Sequence, residues 1–159
     1  MSESFSIEEA REKLDQFQAQ LEQLVPNPSG YRLLDIGKEY IPTELRDLLQ
    51  CYGSYLANLH ALEGRIEAEA LIVDRGLKTG LSVAVGQSDS KATTITAKEA
   101  EVFASNPAFR DLKKLQIYND SYLALIKGWR EAYSSAYATV SRLISLLLGE
   151  YEHLSPRSN

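Results

Sequence analysis

A chain of 159 residues, 44% apolar and 25% charged, suits one domain with its own core or a slender helical protein that completes its core by assembling, and it leaves little room for two domains. The net charge of -5 excludes a molecule that is basic over its whole surface, so any nucleic-acid binding has to come from a local patch. The lone Cys51 excludes an intrachain disulfide and a cysteine-only metal cage; it fits a reducing compartment, which makes the cytoplasm the expected location.

The opening MSESFSIEEAREKLDQ carries neither the basic stretch nor the apolar stretch of a signal peptide, and no apolar run is long enough to span a bilayer. No membrane role is expected. Ser6 and Glu9 make a Ser-x-x-Glu capping-box pattern, and Ile7, Ala10, Leu14, Phe17, Leu21 and Leu24 then recur at steps of three and four. This predicts a helix over 6–25, ended by Pro26, Pro28 and Ser29-Gly30, with an aperiodic connector from Tyr31 to Ile41. From Pro42 the same rhythm resumes through Leu45, Leu48, Tyr52, Tyr55, Leu59, Leu62, Ile66, Ala70, Val73 and Leu77, a segment about 60 Å long at 1.5 Å per residue. Gly76 and Gly80 are expected to fray its end, since each glycine costs a helix roughly 1 kcal/mol relative to alanine.

The polar stretch GQSDSKATTI, residues 86–95, is the natural reversal point. Thr96 and Glu99 form a second capping-box pattern, and Asn106-Pro107 reads as a cap followed by a first helical residue. Leu112, Leu115, Tyr122, Ile126, Trp129, Tyr133, Ala136, Val140, Leu143, Leu147 and Tyr151 carry the heptad almost to the end, before a tail from Ser155 expected to be disordered. Asn119 occupies the one seam position that breaks the pattern; either it is buried, which costs stability and can fix register or oligomer number, or the helix rotates slightly and Tyr118 takes its place. The expected fold is all-α, a single helical domain in which a shorter N-terminal helix precedes an antiparallel hairpin over 42–154. Its unspent apolar surface, including SRLISLLLGEY, predicts a homo-oligomeric bundle.

Several chemistries fail on spacing. Gly76-Leu77-Lys78-Thr79-Gly80 has the residue types of a phosphate loop without the Gly-x4-Gly-Lys-Ser/Thr spacing or a preceding strand. A di-iron bundle needs two Glu-x-x-His pairs, and only Glu150 to His153 has that form. Glu9-x-x-Glu12 and Glu44-x-x-Asp47 mimic the carboxylate pairs of magnesium-dependent nucleotide hydrolases, yet acids at helix N-termini are expected from the helix dipole alone. Neither an enzyme nor a metal or other cofactor is expected. Most of the tyrosines coincide with the seams, which favours packing over base stacking.

Charge is segregated. Residues 1–74 hold 6 basic and 14 acidic side chains, 75–114 hold 7 and 4, and 115–159 hold 4 and 4. In a hairpin the middle stretch is the tip, so Arg75, Lys78, Lys91, Lys98, Arg110, Lys113 and Lys114 are the expected nucleic-acid contacts, multiplied by oligomerisation. The bland alternative is a solvated helix end whose cations keep tips apart or pair with acidic helices.

The stretches CYGSYLANLHALEGRIEAEALIVDRGLKTG and YNDSYLALIKGWREAYSSAYATVSRLISLL combine an aromatic-rich helix leading to RIEAEA, basic residues in the next turns, a glycine-bearing polar loop and a long helix with a late arginine. Over about two thirds of its length the chain thus resembles the phage recombination mediators of the UvsY type. That resemblance implies small helical proteins that assemble into rings, bind single-stranded DNA and help load a RecA-type recombinase against the single-strand-binding protein. It points to Arg75 and Lys78 as positions matching the family's DNA contacts. The competing expectation is a helical adaptor or inhibitor that acts on another protein through its basic tip and apolar stripe.

Overall fold

The computed structural model describes residues 6–30, 33–35, 37–88 and 91–154, with side chains through 149. The expected disordered tail and the His153 side chain lie outside the described residues. All described elements are α-helices: α1 (Ile7–Leu24), α2 (Pro42–Gln87), α3 (Ile95–Ser105) and α4 (Pro107–Leu154). No helix among the described residues is long and apolar enough to cross a membrane.

The helix boundaries follow local hydrogen-bonding chemistry. Ser6 Oγ accepts the Glu9 N–H at 3.4 Å, but the capping box stays half-made: the Ser6 hydroxyl donates to Glu8, and Glu9 turns elsewhere. Pro42 begins α2 in the first turn, where its missing donor has no intrahelical partner, and Glu44 reaches back to accept the Ile41 N–H at 3.3 Å. α3 departs from expectation, because Thr94 rather than Thr96 is its cap. Thr94 is extended and its hydroxyl accepts from the Ala97 N–H, so the helix starts one residue later, at Ile95. Asn106 acts as predicted, its Oδ1 accepting the Ala108 N–H at 3.0 Å ahead of Pro107.

Packing divides into two compact units, Met1–Gln18 with Glu63–Ala124, and Ala19–Leu62 with Leu125–Asn159. In the first, Val73 and Leu77 of α2, Val102 of α3 and Phe109 of α4 form the core, joined by Leu81, Ala84, Val85, Phe103, Leu112 and Leu115. This core explains why α2 does not fray at Gly76 or Gly80 but runs on to Gln87. An added Cβ at Gly80 would lie 2.9 Å from Phe109 Cε1, so glycine is what lets the ring approach the helix backbone this closely.

In the second unit the buried residues are Leu21, Val25, Leu45, Tyr52, Leu59, Ile126, Trp129, Tyr133, Ala136 and Val140. Tyr133 meets Tyr55 edge-on at 5.2 Å and Tyr52 at 5.8 Å. A buried phenol needs a partner for its hydroxyl. Tyr133 donates to the Pro26 carbonyl at 2.6 Å and Tyr52 to the Leu33 carbonyl, which pins the connector to the helices. Within the connector the Asp35 carbonyl accepts from the Lys38 N–H around Gly37, whose φ of 99° is a left-handed conformation that suits glycine.

The heptad reading holds along the middle of α2 and α4. Leu45, Tyr52, Leu59, Ile66 and Val73, each seven apart, are all buried, as are Asn119, Ile126, Tyr133 and Val140. Asn119 therefore occupies the seam, and Tyr118 stays half-buried beside it. The Asn119 Nδ2 and the Tyr118 hydroxyl are both sealed from solvent with no hydrogen-bond partner among the described residues. The seam ends depart from expectation: Ile7 and Leu24 are exposed, and Val25 rather than Leu24 is buried.

Candidate nucleic-acid interface

All seven predicted cations fall in the first unit. Its core draws together the last turns of α2, the body of α3 and the first turns of α4, the helices that carry six of the seven. They are not equivalent. Arg75, Lys91 and Lys113 are exposed, while Lys98 and Arg110 are half-buried. None of these five has a carboxylate within ion-pair distance among the described residues; Lys113 donates instead to Gln116 at 2.8 Å.

Lys78 is exposed but pairs with Asp74 at 2.7 Å, one helical turn back. An exposed pair of this kind contributes little to stability and opens readily to a competing anion. Lys114 differs more. Its side chain is only 17% exposed, and the Glu9 carboxylate lies 3.5 Å away on α1. Lys114 is thus paired within the chain: the acidic N-terminal helix folds back on the basic segment and neutralises one of its members. The unit as a whole carries 10 basic and 14 acidic side chains, so the cations face a background of negative charge.

The aromatic groups nearby were legible in the sequence only as seam residues. Phe17 of α1 stacks on Tyr122 of α4, centroids 4.1 Å apart and planes 15° apart, and Tyr122 is near-parallel to Tyr118 at 6.5 Å. Burial pushes the Tyr118 phenol above its ordinary ionisation range, and the negative Glu9 adds to the rise. Tyr122 rises as well, through burial and then Glu69. Nothing in the spacing of Glu9 or Phe17 marks them as partners of Lys114 and Tyr122, since that pairing joins residues about a hundred positions apart.

The carboxylate pairs singled out for magnesium are engaged elsewhere. Glu12 accepts from Gln16 at 3.1 Å, and Glu44 binds Lys38 at 3.1 Å, which holds its carboxyl below the usual carboxylate range with help from the Ile41 N–H. Among the described residues no group of three His, Cys, Asp or Glu side chains is placed to hold a metal ion. The Gly76–Gly80 run lies inside α2 with Leu77 in the core, so its backbone donors are committed to the helix.

Apolar surface is also present. Leu71, Ile72, Val83 and Ile95 are exposed in the first unit, Ile72 at 72% and Ile95 at 71%. The second unit has a groove of about 560 Å³ walled by Leu34, Tyr40, Leu45, Leu143 and Leu147, with Lys38 over the Tyr40 ring at its rim. Comparison of the chain with protein-family models, with curated proteins and with solved structures finds no match in any of the three.

Proposed function

We propose that the protein is a non-enzymatic accessory protein that binds single-stranded DNA and, as its resemblance to the recombination mediators implies, helps load a RecA-type recombinase against the single-strand-binding protein. In this reading the two long helices lie antiparallel as a hairpin, and chains associate as a homo-oligomer through exposed apolar positions such as Ile72 and Val83. The observation that carries it is the set Arg75, Lys91, Lys98, Arg110 and Lys113, five cations of one unit without a carboxylate partner among the described residues. Lys78 joins them once its exposed pair with Asp74 opens. Cations left unpaired on an acidic protein can displace counterions from a phosphate backbone, and repetition around an oligomer multiplies the effect.

The test is fluorescence anisotropy of a labelled oligo-dT across a salt series, comparing wild type with Arg75→Glu/Lys113→Glu. Affinity should fall steeply with salt and collapse in the double variant. A second reading, a helical adaptor or inhibitor that docks on another protein, is favoured by the exposed Leu71, Ile72, Val83 and Ile95 and by the net negative charge of the same unit. Absence of oligonucleotide binding even at low salt would reject the first reading and leave the second.

A further inference from the structure

Single strands are held by two kinds of group, cations that meet phosphates and flat rings on which bases stack. The stretch of α4 from Lys114 to Tyr122 carries both, and α1 occupies them. The Phe17 ring lies on Tyr122 at 4.1 Å and 15°, the arrangement a base takes on an aromatic platform, and Tyr118 continues the stack one turn along. The Glu9 carboxylate lies 3.5 Å from Lys114 Nζ, where a phosphate oxygen would sit.

Burial is uneven along α1. Leu21 and Val25, at and just past its C-terminal end, are each 1% exposed. Over residues 7–18 no side chain is fully buried, Ile7 projects into solvent, and the Ser6 cap is a long 3.4 Å contact. A helical segment without a fully buried side chain, whose ion pair to α4 is partly exposed, belongs toward the low-stability end of local opening.

We infer that residues 7–18 of α1 are a displaceable cover over a single-strand site made by Lys114, Tyr118 and Tyr122, with Phe17 in the place of a base and Glu9 in the place of a phosphate. The inference rests on the DNA-binding reading and deepens it. The closed chain engages a strand through its exposed cations, and lifting the cover adds a stacking platform and frees Lys114, which follows Lys113 and lies one turn beyond Arg110. Only the open fraction of molecules has the full site, so the cover lowers apparent affinity by that fraction.

The experiment uses the full chain and oligo-dT at one moderate salt concentration. Phe17→Ala removes the competing ring and leaves all the cations in place; it should bind about fivefold tighter than wild type, and Tyr122→Ala added to it should abolish the gain. Hydrogen exchange on the wild-type protein gives a readout that needs no variant: amides of residues 8–18 should lose protection when oligo-dT is added. If oligo-dT binds wild type and Phe17→Ala equally, or wild type more tightly, and α1 protection does not change, the cover is overturned while the DNA-binding reading stands. If neither protein binds oligo-dT, both are overturned. Binding by Phe17→Ala alone would support both. Should Phe17→Ala lose helicity, the exchange measurement on wild type decides.

Discussion

Gly80→Ala tests the close approach of α2 and Phe109, and Gly64→Ala is its matched control. Both glycines lie inside α2, so both substitutions gain the same helix propensity, about 1 kcal/mol. At Gly64 a Cβ meets nothing within 4 Å, whereas at Gly80 it meets Phe109 Cε1 at 2.9 Å and Cζ at 3.3 Å. Carbon atoms pack at about 3.5 Å or more, so the ring has to retreat by roughly 0.6 Å. It has little room to do so, being buried in the core with Phe103 edge-on at 6.1 Å. Overpacking of this kind costs about 1–3 kcal/mol. Gly64→Ala should therefore stabilise by up to about 1 kcal/mol, and Gly80→Ala should fall about 1–3 kcal/mol below it. With a urea slope near 2 kcal/mol per molar, the two midpoints should separate by roughly 1 M at unchanged slope. Combining Gly80→Ala with Phe109→Leu should recover part of the loss, because residues in contact couple. Equal upward shifts of the midpoint in the two alanine variants would refute the close approach.

Asn119→Leu removes a buried amide donor that has no partner among the described residues and replaces it with an apolar group in an apolar seam. It should raise stability by about 1 kcal/mol in urea melts, and a loss of that size would mean that the amide is satisfied. Alkaline pH should destabilise the fold through Tyr118, whose phenol is held above its ordinary value of 10.0 by burial and then by Glu9. In the unfolded chain this tyrosine ionises from about pH 10, while in the fold it keeps its proton. The native state then binds more protons than the unfolded one, so the contribution is intact below pH 10 and lost as pH rises toward the folded value. Tyr118→Phe should flatten the fall in urea midpoint between pH 9 and pH 11 without abolishing it, since Tyr122 is shifted in the same direction. An unchanged slope in Tyr118→Phe would refute the assignment.

The sequence by itself determined the helices and their buried faces. Heptad spacing, Pro42, and the Asn106-Pro107 junction are local signals, and local backbone chemistry acts on them without knowledge of the partner; hence Leu45, Tyr52, Leu59, Ile66 and Val73 are all buried as their spacing predicts. Asn119 could be placed only by tertiary packing, because one helical pattern allows either Asn119 or Tyr118 to face the seam until a neighbouring helix fixes the rotation. The cap of α3 moved from Thr96 to Thr94, two threonines with the same capping chemistry whose choice depends on where the chain enters the helix.

The candidate site divides the same way. A run of cations over 75–114 is visible as composition, but whether a cation is free depends on which carboxylates the fold brings to it. Asp74 reaches Lys78 through helix geometry alone, and the i,i+4 spacing announces it. Glu9 reaches Lys114, and Phe17 reaches Tyr122, only because α1 packs against α4 within the first unit. Contacts between residues so distant in sequence are set by side-chain shape and burial, which spacing does not encode, and so only the tertiary structure turns an acidic helix and a basic segment into a covered surface.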